Sequence, residues 1–315
     1  MRAIIQDEWD GPDSVRLVDV PEPRPAPTEV KVRVHAAGVN PVDYYTSRGL
    51  AYNRVLDLPF IHGWDVAGVV EEVGYGVSRF RVGDRVFGMP WFPRQAAGYA
   101  EFVTAPSRHF ASIPTRLGFV EAAALPLAGL TAWQMLVDVA RLTPGQRVLV
   151  SAAAGGVGHL AVQIAKARGA YVIGTARAAK HDFVRGLGAD EVVDYTTTVV
   201  HEAVRDVDAV IQMFGGADGC DALYCLRAGG VLVSAQAAWT RGLFDRAREL
   251  NVHAYDYLVE PDAAGLQSIA ELAADGRLRV HLAAQYPLSE AAQALKVIGD
   301  SRTTGKIVLT VEHDH

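Results

Sequence analysis

Ala153, Gly155 and Gly158 are spaced as the small residues of a G-x-G-x-x-G turn, and that spacing supports one kind of chemistry, the holding of phosphate. Gly155 lets the backbone approach a pyrophosphate, Gly158 lets a helix pack closely on the preceding strand, and the run Ala154-Gly155-Gly156-Val157-Gly158 offers N–H groups at a helix N-terminus. About 20 residues further on, where NAD-binding chains carry an acid for the ribose 2′-hydroxyl, stands Ala176, followed by Arg177 and Lys180. A carboxylate repels a 2′-phosphate and a guanidinium holds it, so the cofactor expected is NADPH. The plainer alternatives are a tight strand-to-helix turn without a ligand, and two solvated charges at a helix start.

The elements that must position these residues are legible around them. Val148-Leu149-Val150 is too short and too β-branched for a helix, whereas Leu160, Ala161, Ile164, Ala165 and Ala167 recur at helical spacing until Gly169. With a strand over 171–174 this makes one βαβ unit. Further buried strands are expected at 191–194, 209–213, 231–235 and 252–259, with helices over 180–187 and 220–226, which together describe a doubly wound parallel sheet. The first hundred residues instead read as short strands, at 3–5, 15–20, 30–37, 66–73, 85–88 and 99–103, and suggest a mainly-β barrel. Residues 122–137 read as a buried helical region, and helices over 265–274 and 289–298 precede a last strand at 306–311.

Composition bounds the partners. The chain has 315 residues, 50% of them hydrophobic, enough for two domains with a core each. A net charge of −6 and no long basic run argue against nucleic acid and anionic membrane surfaces, leaving a small molecule as the expected partner. Only Cys220 and Cys225 are present, so no disulfide framework is possible and a reducing cytoplasm is expected. The N-terminal run MRAIIQDEWDG lacks the pattern of a secretory signal, and 122–137 is shorter than the ~20 residues that span a bilayer.

The runs Ala36 to Asp43, Gly63 to Val70, Val82 to Val86, Gly129 to Ala132, Ala152 to Gly158 and Gly305 to Val308 follow one another in a familiar order. With them the chain resembles the medium-chain dehydrogenase/reductase superfamily, and within it the zeta-crystallin-like quinone oxidoreductases. The resemblance implies a GroES-like domain over 1–121, a Rossmann domain over 122–259 and a return to the first domain over 260–315. It also implies a homodimer through the edge strand near Val252–Val259.

Zinc-dependent members use cysteines and a histidine in these motifs. Here Asn40 lies in the first motif, Trp64 stands in the place of the histidine, and no cysteine precedes Cys220, so no metal is expected. His62 is two residues out of register and reads as a structural or pocket histidine. A quinone or activated alkene delocalises an incoming hydride's charge, so the implied reaction is NADPH-dependent quinone reduction. The alternatives are reduction of an enone or enoyl thioester, and a non-catalytic NADPH-binding redox sensor.

Carried over by position, Asn40 and Asp43 match polar residues of the family's active-site cleft, with Tyr45 nearby, Tyr52 aligned approximately and Trp64 in the second motif. Each has a structural alternative: Asn40 ties down a loop, Asp43 caps a helix over 44–48, and the tyrosines are wall. The resemblance puts Thr131, Lys180, Tyr195, Phe214, Ser234 and Lys306 around the cofactor. The stretch Gln212-Met213-Phe214-Gly215-Gly216 departs from the family's acidic and small residues after that strand.

Overall fold

Strands β1 (Arg2–Gln6) and β2 (Val15–Asp19) form an antiparallel pair at the start of the computed structural model, which describes residues 1–313. The longest strand, β3 (Glu29–Val39), carries the alternating valines Val30, Val32 and Val34, all fully buried. Helix α1 (Pro41–Ser47) follows, then β4 (Phe60–Ile61), β5 (Asp65–Val73), β6 (Arg85–Gly88), β7 (Phe102–Pro106) and β8 (Phe110–Ser112). The strand expected at 99–103 is displaced, because Tyr99 to Glu101 serve two neighbours at once. Ile4 N–H donates to Tyr99 O at 2.8 Å and Glu101 N–H to Arg2 O at 3.1 Å, while Val34 N–H donates to Glu101 O at 2.9 Å. This stretch stitches β1 to β3, so Ile4, Val34, Val66, Tyr99 and Leu309 share one core. The helical region expected over 122–137 is broken: α2 (Phe119–Ala123) stops short of Pro126, α3 (Pro126–Trp133) starts on it, and a π-helical turn follows at Gln134–Val139.

From Arg147 the chain alternates strand and helix. In order come β9 (Arg147–Val150), α4 (Gly158–Ala167), β10 (Tyr171–Thr175), α5 (His181–Gly186), β11 (Glu191–Val193) and α6 (Val200–Ala203). Then come β12 (Val207–Gln212), α7 (Ala217–Asp221), β13 (Leu226–Ser234), α8 (Leu243–Glu249) and β14 (His253–Asp256). The six strands pair in parallel in the order β11-β10-β9-β12-β13-β14, the doubly wound sheet expected from the sequence. Two expectations need correction. The helix expected over 220–226 is split, since α7 gives way to a 3₁₀ turn at Ala222–Cys225 and Leu226 already belongs to β13. The last strand is also shorter than 252–259: it ends at Asp256, and beyond it only Tyr257 N–H still reaches across, to Ser234 O at 3.0 Å.

Helix α9 (Ala263–Ala274) is capped by Asp262, whose carboxylate accepts from the N–H groups of Ala264 and Gly265. After it come β15 (Leu282–Pro287), which the sequence reading had missed, α10 (Ala291–Gly299) and β16 (Lys306–Thr310). Strand β16 pairs antiparallel with β3, so the C-terminal segment returns to the mainly-β sheet. One unit comprises Met1–Leu130, Glu260–Asp275 and the chain from Val280 onward, and the other comprises Thr131–Val259 with Gly276–Arg279. The first unit therefore runs through α2 and into α3 instead of stopping at 121.

Candidate functional site

In the doubly wound unit the turn between β9 and α4 is held open by the neighbouring strands. Ala153 N–H donates to Thr175 O at 2.9 Å, and Ser151 Oγ accepts from Met213 N–H at 2.8 Å. Ala152 sits at φ 49°, a left-handed conformation unusual for alanine. Gly158 is required by packing, because a Cβ there would lie 2.2 Å from Ala152 O. The N–H groups of Ala154, Gly156 and Val157 take no protein partner among the described residues. Free donors at the head of a ten-residue helix suit a pyrophosphate, and the turn fits one.

The ends of β10 and β11 supply charge beside this turn. Arg177 Nε donates to the Tyr195 hydroxyl at 3.1 Å, and Lys180 is close enough that burial, together with the Arg177 charge, lowers its pKa. The acid expected in an NAD site is absent at Ala176, which is buried. The carboxylate of Asp194, just after β11, is occupied, accepting from Ala178 N–H at 3.0 Å and from the Thr196 hydroxyl at 2.6 Å. The structure thus brings Arg177, Lys180 and Tyr195 together, an arrangement that fits a 2′-phosphate. Of the other cofactor-side positions, Thr131 and Ser234 are buried, and Ser234 Oγ accepts from Gln236 N–H at 3.1 Å. Phe214 is exposed on the loop after β12.

Lys306 does not join these residues. It is 2% exposed within the mainly-β unit, where Nζ donates to Val39 O at 3.1 Å and to Asn40 Oδ1 and lies 3.7 Å from Asp65 Oδ2. Expected beside the cofactor, this lysine at the head of β16 makes its bonds within its own domain's polar core. Around it, Asn40 Nδ2 donates to Asp65 Oδ2 at 2.8 Å and Asp65 Oδ1 accepts from Leu127 N–H at 2.7 Å. Asp43 Oδ2 accepts from Asn40 N–H at 2.7 Å and from the Tyr99 hydroxyl at 2.9 Å. Burial pushes the Asp43 carboxyl up to about 7 and raises that of Asp65, against the pull of Lys306; the Lys306 ammonium is itself lowered by burial.

The catalytic residues expected from the sequence therefore separate. Asn40 is 2% exposed with a bond at each end of its amide, so it ties α1 to β5 and β16. Asp43 serves a helix start, but of a helix that begins at Pro41 and not at Tyr44: Asn40 holds the cap position and Asp43, third in α1, accepts from its N–H. Trp64 is 1% exposed and gives its indole N–H to Arg94 O at 2.8 Å, which makes it core. Tyr52, at φ 55°, rests edge-on against Trp64 and Phe92, and burial pushes its phenol up to about 12. Only Tyr45, 42% exposed, offers an open side chain. Asp65 and Tyr99 were passed over in the sequence; the available signal was a carboxylate heading the apolar run Asp65-Val66-Ala67.

The donors do not fit a zinc site. His62 is buried with Nε2 2.6 Å from Gln6 Oε1, and its pKa falls to about 3 through burial. Both cysteines lie in the doubly wound unit, and no group of three or more His, Cys, Asp or Glu among the described residues is placed to hold a metal ion. No helix among the described residues is long and apolar enough to cross a membrane.

Comparison with known proteins agrees with this layout. Residues 26–115 match the alcohol dehydrogenase GroES-like domain and residues 187–309 match the zinc-binding dehydrogenase domain. The chain is 34% identical to the quinone oxidoreductase of Rattus norvegicus over 324 residues, covering 98% of this chain and 97% of that protein. The solved quinone oxidoreductase of Coxiella burnetii superposes with a TM-score of 0.93 at 34% identity, covering 99% of each chain. A mycobacterial protein solved as a complex with NADPH superposes with a TM-score of 0.85 at 31% identity, covering 98% of this chain and 100% of that one.

Proposed function

Because this chain belongs to the medium-chain dehydrogenase/reductase superfamily, in its quinone oxidoreductase branch, we propose that it passes hydride from NADPH to a quinone without the help of a metal ion. The observation that carries this reading is the cationic end of the dinucleotide site, Arg177 bonded to Tyr195 with Lys180 beside it, at the place where a ribose-binding acid would stand. The mycobacterial relative solved with NADPH supports the same choice.

When bound, the nicotinamide supplies the hydride. The chain's part is to seat the pyrophosphate on the free N–H groups after β9 and to hold the 2′-phosphate through Arg177, Lys180 and Tyr195. A quinone spreads the incoming charge over its own carbonyls, so orientation counts for more than a strong acid or a Lewis acid. That suits a chain whose buried carboxylates Asp43 and Asp65 are committed to internal bonds and whose zinc-ligand positions hold Asn40 and Trp64. Of the two tyrosines Tyr45 has the more open side chain, and it is the residue proposed to protonate the reduced oxygen.

The same reading makes the protein a homodimer through β14, the terminal strand of the sheet, whose outer edge is open to a symmetry mate. A monomer mass by light scattering at micromolar concentration would count against it. The two cysteines are unpaired, which suits a reducing cytoplasm.

The experiment follows NADPH absorbance with 1,4-benzoquinone, 9,10-phenanthrenequinone, an alkyl enone and a crotonyl thioester in parallel. Turnover of the quinones supports the proposal. Turnover of the enone or thioester alone would make the protein an alkene reductase, and NADPH binding without any turnover would make it a sensor.

A further inference from the structure

Gln212 ends β12 and is 0% exposed, yet neither its amide nitrogen nor its amide oxygen has a hydrogen-bond partner among the described residues. A buried donor and a buried acceptor left unpaired are each costly, so such a side chain implies a polar partner in the working state. The polar groups on the neighbouring segments bond to one another and make no bond to the Gln212 amide. Thr240 Oγ1 donates to Gln236 O at 3.0 Å, Ser234 Oγ accepts from Gln236 N–H, and the Gln212 carbonyl accepts from Ala235 N–H at 3.0 Å.

The order of strands says which part of a dinucleotide comes to this place. The turn that fits the pyrophosphate follows β9, and the cations that fit the 2′-phosphate follow β10. Strands β12 and β13 lie on the other side of β9. A dinucleotide laid across the carboxyl ends of the sheet therefore brings its nicotinamide over the ends of β12 and β13, where Gln212 pairs in register with Ser234.

We infer that Gln212 recognises the carboxamide of the nicotinamide through a reciprocal pair of hydrogen bonds, Nε2–H to the carboxamide oxygen and carboxamide N–H to Oε1. The inference rests on the reading of the chain as an NADPH binder and adds to it the residue that fixes the orientation of the ring. The chemistry matches at both ends, because a primary amide presents a donor and an acceptor side by side and its complement is another primary amide. A carboxylate at this position could accept but not donate. Gly219 in α7 lies against the amide, since a Cβ on it would come 2.9 Å from Nε2.

The test is equilibrium binding to the apo protein, read by calorimetry. The ligands are NADPH, its 3-acetylpyridine analogue, whose methyl ketone accepts but cannot donate, and 2′-phospho-ADP-ribose, which has no nicotinamide. The wild type should bind NADPH about 10-fold more tightly than the analogue, the effect of one lost hydrogen bond to a buried group. Gln212→Met should weaken NADPH by about 10-fold to 100-fold, bind NADPH and the analogue alike, and leave 2′-phospho-ADP-ribose unchanged. Equal wild-type affinity for NADPH and the analogue overturns the inference even if the variant fails to fold, and so does a Gln212→Met variant that keeps wild-type NADPH affinity. Failure of the wild type to bind 2′-phospho-ADP-ribose would overturn the NADPH reading itself, and the inference with it.

Discussion

The Tyr99 hydroxyl donates to Asp43 Oδ2 at 2.9 Å, and both side chains are fully buried. The bond joins the stitch between β1 and β3 to the start of α1, while Asp43 Oδ1 is left without a partner. The helix start therefore depends on a carboxyl whose charged form the fold disfavours.

Replacing Asp43 with asparagine should change how stability depends on pH. The groups facing Asp43 are Asn40 N–H, the Tyr99 hydroxyl, Asp65 and Lys306, and burial outweighs them, lifting the folded carboxyl to about 7. The unfolded value is about 4, so the contribution of Asp43 to stability is fully present below about pH 4 and is lost as pH rises to about 7. Between about pH 5 and 8, denaturant titrations should show the wild type losing about 2–4 kcal/mol relative to Asp43→Asn, at ~1.4 kcal/mol per pKa unit. His62 acts in the opposite direction, its stability lost as pH falls from about 6.5 towards about 3, but it is present in both proteins and cancels in the difference. Parallel curves would show that Asp43 stays ionised in the fold.

Gly158→Ala should disturb the turn without touching any charge. The new Cβ would meet a backbone oxygen at 2.2 Å, which cannot rotate away, so a loss of about 1–3 kcal/mol and weaker NADPH binding are expected. Thermal denaturation and NADPH titration check this together, and an unchanged Tm with unchanged affinity would show that the turn has slack.

Much of this site could be read from the sequence. The glycine spacing, the strand before it and the missing acid at Ala176 are local signals, and so are the cations Arg177 and Lys180, of which Arg177 bonds to the Tyr195 hydroxyl. The mainly-β unit was less legible because its polar residues act at long range. Asn40 meets Lys306, which is 266 residues away along the chain, and nothing local to either residue shows that each spends its polar end on the other. Trp64 likewise held a position from which family resemblance suggested the active-site cleft, yet packing against Phe92 and the bond to Arg94 O make it core. Strands β4, β8 and β15 were not expected from the sequence: β4 and β8 are only two and three residues long, and the β15 run, LAAQYP, lacks β-branched residues.

Removal of metal should leave activity unchanged. Dialysis against a chelator is expected to preserve quinone turnover, and Trp64→His alone should not create a zinc site, since Asn40 supplies no thiolate and His62 is already bonded to Gln6. Elemental analysis before and after dialysis checks the result, and a loss of activity restored by zinc would overturn it.

The most direct test of the proposed reaction compares kcat/KM for NADPH and NADH with 9,10-phenanthrenequinone as acceptor, in the wild type and in Arg177→Ala. A charged hydrogen bond contributes about 1.5–3 kcal/mol, so the wild type should favour NADPH by about 10-fold or more, and Arg177→Ala should lose that preference mainly through NADPH. Equal wild-type values for the two cofactors, or no quinone turnover with either, would contradict an NADPH-dependent quinone reductase.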